Sequence, residues 1–231
     1  PIVIQGNGRK QIVVNGMRHT GAYDFETGRE IWKYDGAPAG DLPNPTPVHG
    51  HELLFFTASH GYGSPVRAIR DNASGDISLQ EAGVPASALV WSHAKMGNYV
   101  PTPIVVGQNL FLTGKALICL DARTGEIRYE RTTLEGSNLR GGLFGSFSSP
   151  VSDGRNLFVP LNTEQGHILI VPATDAFSVV AINPLGSRIR ASPAISDGIL
   201  FFRTETEVIA IGEENVESAE LKYQPERRRQ H

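Results

Sequence analysis

The sequence predicts an all-β protein, a β-propeller with about five blades of four antiparallel strands. Three observations lead to this fold class. Four similar segments each begin with a Ser-Pro or Thr-Pro pair. In each of them the pair precedes a short apolar run, a turn that contains glycine, and a second apolar-aromatic run. An Asp-x-x-Thr-Gly signature occurs twice, with an aromatic residue four positions after its glycine. A period of about 45 residues is typical of four-stranded propeller blades.

The prolines mark the beginning of each repeat. Proline cannot donate to a strand ladder, so it suits the first position of a strand. The predicted domain spans residues 1–224, and a basic tail follows at 225–231. The predicted blades are about 1–44, 45–97, 98–145, 146–189 and 190–224, anchored at Pro1, Pro47, Pro103, Pro150 and Pro193.

The repeats are uneven. The third strand is expected to end at residues 22–24, 119–121 and 181–183 in the first, third and fourth repeats. The second repeat carries an insertion, roughly Asp76 to Ala88, before Trp91. The fourth leaves almost no room for an outer strand, and the fifth runs into "ENVESAELKYQP", a degraded version of the same ending.

The Asp-x-x-Thr-Gly signature predicts a hairpin connection rather than a catalytic acid. An Asp side chain can accept backbone N–H groups two residues on, and glycine tolerates the left-handed conformation. The aromatic residue that follows should pack on the neighbouring blade and stabilise the fold by about 2–3 kcal/mol. The motif residues are Asp24, Thr27, Gly28, Trp32, Trp91, Asp121, Thr124, Gly125 and Tyr129.

The composition excludes several classes of partner and structure. The chain has 231 residues, a formal net charge of -3 and a single cysteine, Cys119. There is no basic surplus to neutralise phosphates, so a nucleic-acid partner is not expected, and no internal disulfide can form. No apolar run reaches the roughly 18 residues of a membrane span. No signal peptide is visible, and the start at Pro1 suggests a cut end.

The signature resembles the pyrroloquinoline-quinone (PQQ)-type β-propeller repeat family. Its hallmark, Ala-x-Asp-x-x-Thr-Gly-x-x-x-Trp, matches Ala22 to Trp32 at every named position, and Asp121 to Tyr129 matches with Tyr for Trp. The resemblance implies rings of seven or eight blades, so five repeats form either a small ring or an arc of a larger one. The family includes quinone-dependent alcohol and sugar dehydrogenases and non-catalytic scaffolds.

The cofactor of those dehydrogenases is not expected here. The resemblance implies a quinone held over calcium by Glu, Asn and Asp, often with adjacent cysteines and a stacked tryptophan. This chain has no Cys-Cys pair, and both tryptophans are assigned to blade docking. His49 and His51 fall on a predicted turn rather than in a metal site. His60, Tyr62 and Arg67 lie on a long Gly-rich loop, interpreted as plain surface.

The loops before the Ser/Thr-Pro strands are the predicted ligand face. By the resemblance, they open onto one end of the central channel, where convergent Arg and aromatic groups would suit an acidic or peptide-like ligand. Alternatively, the arginines tie neighbouring blades together through backbone carbonyls. The candidate residues are Asn98, Tyr99, Arg140, Phe147, Arg188 and Arg190.

The functional expectation is a non-catalytic scaffold or interaction propeller in the bacterial cell envelope. Its partner would be another protein or an envelope component, and periplasmic location follows from the resemblance. The alternative is a quinone-dependent dehydrogenase whose cofactor site lies partly outside these five repeats.

Overall fold

The computed structural model describes residues 1–6, 8–17, 19–35, 41–60, 63–78, 88–139, 142–144 and 147–212. Every regular element in these ranges is a strand, which confirms the all-β class. None of the described segments forms a helix long and apolar enough to cross a membrane. The strands are β1 (Ile2–Gly6), β2 (Arg9–Val14), β3 (Thr20–Asp24), β4 (Glu30–Tyr34), β5 (Val48–Gly50), β6 (Leu53–Thr57), β7 (Val66–Arg70), β8 (Gly75–Asp76), β9 (Leu89–His93), β10 (Ile104–Val106), β11 (Asn109–Leu112), β12 (Leu117–Asp121), β13 (Ile127–Arg131), β14 (Val151–Ser152), β15 (Asn156–Pro160), β16 (His167–Pro172), β17 (Ala181–Pro184), β18 (Ala194–Ser196), β19 (Ile199–Arg203) and β20 (Val208–Ile211).

These strands form five antiparallel meanders in chain order. The sheets are β1-β2-β3-β4, β5-β6-β7-β9, β10-β11-β12-β13, β14-β15-β16-β17 and β18-β19-β20, numbered one to five below. Each sheet follows its predecessor along the chain, and within a sheet each strand pairs with the next one in the order given. The fifth sheet has three strands within the described residues.

Successive sheets face each other across separate hydrophobic clusters. Trp32 packs with Phe56 and Ile69 between the first and second sheets, and Phe55 and Trp91 pack with Leu110 between the second and third. Further clusters join the third sheet to the fourth and the fourth to the fifth. Strands buried on both faces therefore read as continuous apolar runs, as in β6, where all five residues are buried.

A row of hydroxyl groups joins the beginnings of successive sheets. The amide of Thr46 donates to Oγ1 of Thr102 over 3.2 Å, and the amide of Thr102 donates to Oγ of Ser149 over 2.9 Å. The amide of Ser149 in turn donates to Oγ of Ser192 over 2.9 Å. These four residues are the Ser and Thr of the Ser/Thr-Pro repeat. We call them the hydroxyl row.

The insertion in the second repeat adds an edge strand to the first sheet. β8 pairs in parallel with β4, with Trp32 opposite Gly75. The amide of Ile77 donates to the carbonyl of Lys33 over 2.9 Å, and Ile77 is buried beside Trp32. Covering a free edge in this way removes unpaired backbone groups that would otherwise template aggregation.

The prediction for the fourth repeat is wrong in two respects. Residues 181–184 form the fourth strand, β17, so the repeat does have an outer strand, and the third strand is β16, at His167–Pro172. The cause is the missing signature: β16 ends without Asp-x-x-Thr-Gly, and Ala181 lies opposite Ile170 at the place that Trp or Tyr takes in the first three sheets.

Candidate functional site

The antiparallel order gives the molecule two distinct ends. The segments between the second and third strands of a sheet lie at the same end as the segments that precede its first strand. We call this the loop end. The other end, which we call the turn end, carries the hairpins between the first and second strands and the Asp-x-x-Thr-Gly turns.

The loop end contains a cavity of about 420 Å³ between the second and third sheets. Three aromatic rings lie along it. The rings of His60 and Tyr99 are stacked, with centroids 4.7 Å apart and planes at 25°. Phe147 approaches Tyr99 edge-on at 6.5 Å and 64°. The lining residues are Ser59, His60, Ser64, Gly97, Tyr99, Val100, Pro101, Gly114, Lys115 and Phe147.

Buried hydrogen bonds hold the segment that carries Tyr99. The amide of Asn98 donates to Oγ1 of Thr57 over 2.7 Å, and Nδ2 of Asn98 donates to the carbonyl of Pro101 over 2.8 Å. The amide of Gly97 donates to the carbonyl of Ser64 over 2.7 Å. Asn98 is fully buried, so it positions Tyr99 rather than meeting a ligand itself.

Gly97 permits a close approach of two backbone segments. A Cβ atom at this position would lie 2.2 Å from the carbonyl oxygen of Ala58 and 2.5 Å from that of Pro65. His60 and Ser64, on the facing loop, have positive φ angles of 89° and 52°. Non-glycine residues rarely adopt such angles, and they cluster where surrounding contacts enforce a particular loop shape.

The structure divides the predicted ligand residues into three groups. Tyr99 and Phe147 line the cavity, and Asn98 lies beneath it. Arg188 pairs with Glu164, and Nε of Arg190 lies 3.2 Å from Oε1 of Glu205. Both arginines thus pair with carboxylates, whereas the alternative interpretation gave them backbone carbonyls as partners. Arg140 lies outside the described residues.

The three residues predicted on the Gly-rich loop also fall into different groups. His60 belongs to the cavity, although the sequence suggested plain surface. Arg67 lies in strand β7 rather than on a loop, so this part of the prediction is wrong, and its guanidinium carbon is 5.1 Å from the ring centre of Tyr34. Tyr62 lies outside the described residues. Lys115 was missed altogether. Its only sequence signal is a Gly-Lys pair between two apolar runs, a pattern typical of any strand connection.

The aromatic residues of the blade motif dock on turns of the following sheet. Nε1 of Trp91 donates to the carbonyl of Ala122 over 2.9 Å, and the Trp91 ring covers Gly125. Trp32 meets Phe56 edge-on, with ring centres 5.9 Å apart. Tyr129 meets Phe177, in the loop between β16 and β17, at 5.4 Å. Burial raises the pKa of the Tyr129 hydroxyl.

The turns themselves are held by their Asp side chains. Oδ1 of Asp24 accepts from the amide of Thr27 over 2.8 Å and from the Thr27 hydroxyl over 2.8 Å. Oδ1 of Asp121 accepts from the amide of Thr124 over 2.9 Å. Gly28 and Gly125 have positive φ angles of 69° and 74°.

The two histidines at the turn end have separate partners. Nε2 of His49 lies 2.9 Å from Oδ2 of Asp71, whereas Nε2 of His51 lies 2.7 Å from the carbonyl oxygen of Gly107. His51 has a positive φ of 56° in the tight turn between β5 and β6. His49 and His51 therefore make separate contacts, one with a side chain and one with the backbone.

A calcium-bound quinone needs a cluster of ligands for its metal ion. Across the described ranges, no three His, Cys, Asp or Glu side chains converge to hold a metal ion. Calcium sites need several oxygen ligands. No reaction step is therefore derived through such a group.

Solved structures provide the comparison with known proteins. BamB from Moraxella catarrhalis is similar over 91% of this chain and 56% of its own, with 12% identity and a TM-score of 0.60. Dihydro-heme d1 dehydrogenase NirN is similar over 88% of this chain and 41% of its own, with 13% identity and a TM-score of 0.61. Quinohemoprotein alcohol dehydrogenase ADHIIG from Pseudomonas putida HK5 is similar over 74% of this chain and 29% of its own, with 12% identity and a TM-score of 0.54.

These likenesses establish the class of protein. The fold is a β-propeller, as the sequence predicted, and it is shared with PQQ-like propellers. The chain spans little more than half of BamB and less than half of the other two proteins. No family model and no curated protein matches the sequence.

Proposed function

We propose that this chain is a non-catalytic propeller that binds a protein partner through its loop end, in the bacterial cell envelope. The observation that carries the proposal is the aromatic cavity. Two of its rings, His60 and Tyr99, are stacked, and its supporting loop is held by buried hydrogen bonds, an arrangement that favours recognition by a preformed surface. The resemblance to non-catalytic PQQ-like propellers, and the fold shared with BamB, support the same role and a periplasmic location.

Position-specific crosslinking tests this proposal. A photoreactive phenylalanine analogue replaces Phe147 at the loop end or, as the control, Phe25 at the turn end. Both side chains are partly exposed, at 50% and 39%. We expect the Phe147 position to capture one protein, identified by mass spectrometry, and the Phe25 position to capture none. Equal capture at both positions, or no capture at Phe147, would contradict the proposal.

The dehydrogenase alternative has its own measurement. The chain is mixed with pyrroloquinoline quinone and calcium, and reduction of an artificial electron-accepting dye is followed with alcohols and sugars. A non-catalytic propeller gives the rate of free quinone alone. Turnover that depends on the protein would replace the binding proposal with an oxidoreductase.

A further inference from the structure

The loop-end cavity has the dimensions of a side-chain pocket. Ligand pockets commonly enclose about 300–1,000 Å³, with mostly apolar walls and a few polar groups. This cavity, at about 420 Å³, lies near the lower limit. It therefore suits one or two side chains of an extended segment better than a large cofactor.

The walls favour an aromatic side chain. Val100 and Pro101 provide apolar surface beside the three rings. Phe147 is half exposed and meets Tyr99 edge-on, so its own ring remains open to a further partner. Aromatic pairs prefer edge-to-face or offset contacts with ring centres 4.5–7 Å apart, and such pairs add about 0.5–1.5 kcal/mol beyond the area they bury.

The charge of the cavity favours an acidic ligand. Lys115 is exposed at its rim. Among the ion pairs of the described residues, none involves Lys115. A single cation next to an apolar wall can pair with one carboxylate, whereas a nucleic acid would require several cations along its phosphates.

The polar groups of the lining argue against a carbohydrate. Sugars also stack on aromatic rings, but they need many hydrogen-bond partners. Here the hydroxyls of Ser59 and Ser64 lie 2.9 Å apart and bond to each other. The amide of Ser64 donates to Oδ2 of Asp41 over 3.0 Å. These polar groups are thus engaged within the chain.

From these observations we infer that the cavity receives an aromatic side chain of an extended acidic segment from the partner protein, with a neighbouring carboxylate paired with Lys115. This inference rests on the proposed function and adds the chemical class of the partner. The ring binds against Tyr99 and Phe147, and Lys115 selects the acidic neighbour. Asn98 and Gly97 are positioning residues, since they hold the loop that presents Tyr99.

Fluorescence anisotropy with short peptides tests the inference. The probe is a dye-labelled peptide, Gly-Phe-Glu-Gly-Phe-Glu-Gly-Ser, titrated with the 231-residue chain. Two control peptides replace both Phe by Ala or both Glu by Gln. We expect saturable binding of the first peptide, at least about fivefold weaker binding of the Gln peptide, and no detectable binding of the Ala peptide.

Matched protein variants locate the site. Lys115→Gln removes the rim cation, and Arg123→Gln removes an exposed cation from the turn end of the same sheet. We expect Lys115→Gln to weaken the acidic peptide at least about fivefold and to leave the Gln peptide unchanged, whereas Arg123→Gln changes neither. Phe147→Ala should weaken both peptides. Because Lys115 and Phe147 are exposed, thermal unfolding should stay close to that of the parent chain.

Several results would overturn the inference. These are no binding at about 1 mM protein, equal binding of the Glu and Gln peptides, or equal effects of Lys115→Gln and Arg123→Gln. If Phe147 crosslinks one protein while the acidic peptide does not bind, the chemical class is wrong and the binding function stands. If neither occurs, both proposals fail.

Discussion

Two aspartates, Asp24 and Asp121, hold equivalent turns, and each carboxylate accepts from the backbone amides two and three residues further on. For Asp24, the Thr27 hydroxyl and amide donate to the carboxylate and hold its pKa below the ordinary value of 3.8. For Asp121, partial burial acts against the shift, but the Thr124 amide and the Arg128 guanidinium outweigh it and lower the pKa. In both turns, the Asp carboxylate therefore acts as an ionised hydrogen-bond acceptor.

The lowered pKa of Asp24 predicts a pH-dependent effect on stability. A carboxylate whose pKa is lower in the folded state stabilises the fold above its unfolded-state pKa, and this contribution is lost as pH falls through the folded-state pKa. Asp24→Asn should thus lower the free energy of unfolding at about pH 6, and the difference from the parent chain should shrink towards about pH 2. Urea unfolding across this range measures it. The control is Glu26→Gln on the same turn, and a difference independent of pH would contradict the argument.

Gly97→Ala should destabilise the chain by about 1–3 kcal/mol, as overpacking does. The new Cβ would meet the carbonyl oxygens of Ala58, Pro65 and Ser64. Because these are backbone atoms, they cannot move aside as a flexible side chain can. Chemical denaturation measures the loss.

Gly212→Ala is the matched control for Gly97→Ala. Its Cβ would meet only side-chain atom Cγ1 of Ile199 closely, at 3.2 Å. We expect a smaller loss of stability there. Equal losses at the two glycines would show that the close approach at Gly97 is unimportant.

At the scale of elements, the contact between sheets explains why the repeat contains both an Asp-x-x-Thr-Gly turn and an aromatic residue. The aromatic residue of one sheet lies on the turn of the next, as Trp91 does on Gly125. His93 adds a contact between its Nε2 and the carbonyl oxygen of Gly125, over 2.7 Å. The glycine is needed both for its positive φ and for room beneath the indole. A blade thus contributes its aromatic residue to the interface with the next blade and its turn to the interface with the preceding blade.

The two tryptophans should respond differently to replacement by phenylalanine. Trp91→Phe loses the hydrogen bond to Ala122, which contributes about 0.5–1.5 kcal/mol, in addition to ring volume. Trp32 makes no hydrogen bond through Nε1 within the described residues, so Trp32→Phe loses ring volume alone. Denaturation of both variants gives the comparison. A larger loss at Trp32 would show that packing volume outweighs the hydrogen bond.

At the scale of the whole molecule, the hydroxyl row connects four sheets in series. The two inner members, Thr102 and Ser149, have two tasks, since the hydroxyl accepts from the preceding sheet and the amide donates to the next. The following proline has no amide hydrogen to satisfy. The repeat of Ser/Thr-Pro is therefore a link between blades as well as a strand beginning.

Ser149→Ala tests this link. The variant leaves the amide of Thr102 without its acceptor, which should lower the free energy of unfolding by about 1 kcal/mol. Ser149→Thr keeps a hydroxyl, as Thr102 does in the sister sheet, and should retain most of the stability. Urea unfolding of the two variants is the measurement. If Ser149→Thr is as destabilised as Ser149→Ala, the hydroxyl is not the cause.

The sequence by itself determined the β-propeller class, because its evidence is local. Turn glycines, strand-starting prolines and short continuous apolar runs act within a few residues, so they can be read along the chain. The prediction is wrong where that local signal is missing. Because β16 lacks the Asp-x-x-Thr-Gly ending, the sequence predicts the third strand at the position of β17. The insertion was visible, but its pairing with β4 of another blade was not.

Only the tertiary structure decided the composition of the cavity. His60, Tyr99, Lys115 and Phe147 lie on four separate connections. The repeat places Tyr99 and Phe147 on the same predicted face, but nothing in the sequence adds His60 and Lys115 to them. The same folding placed Arg188 and Arg190 against glutamates and buried Asn98 beneath the loop. The partners of these residues depend on how the sheets pack in space, and contacts outside the repeated positions leave no periodic trace in the sequence.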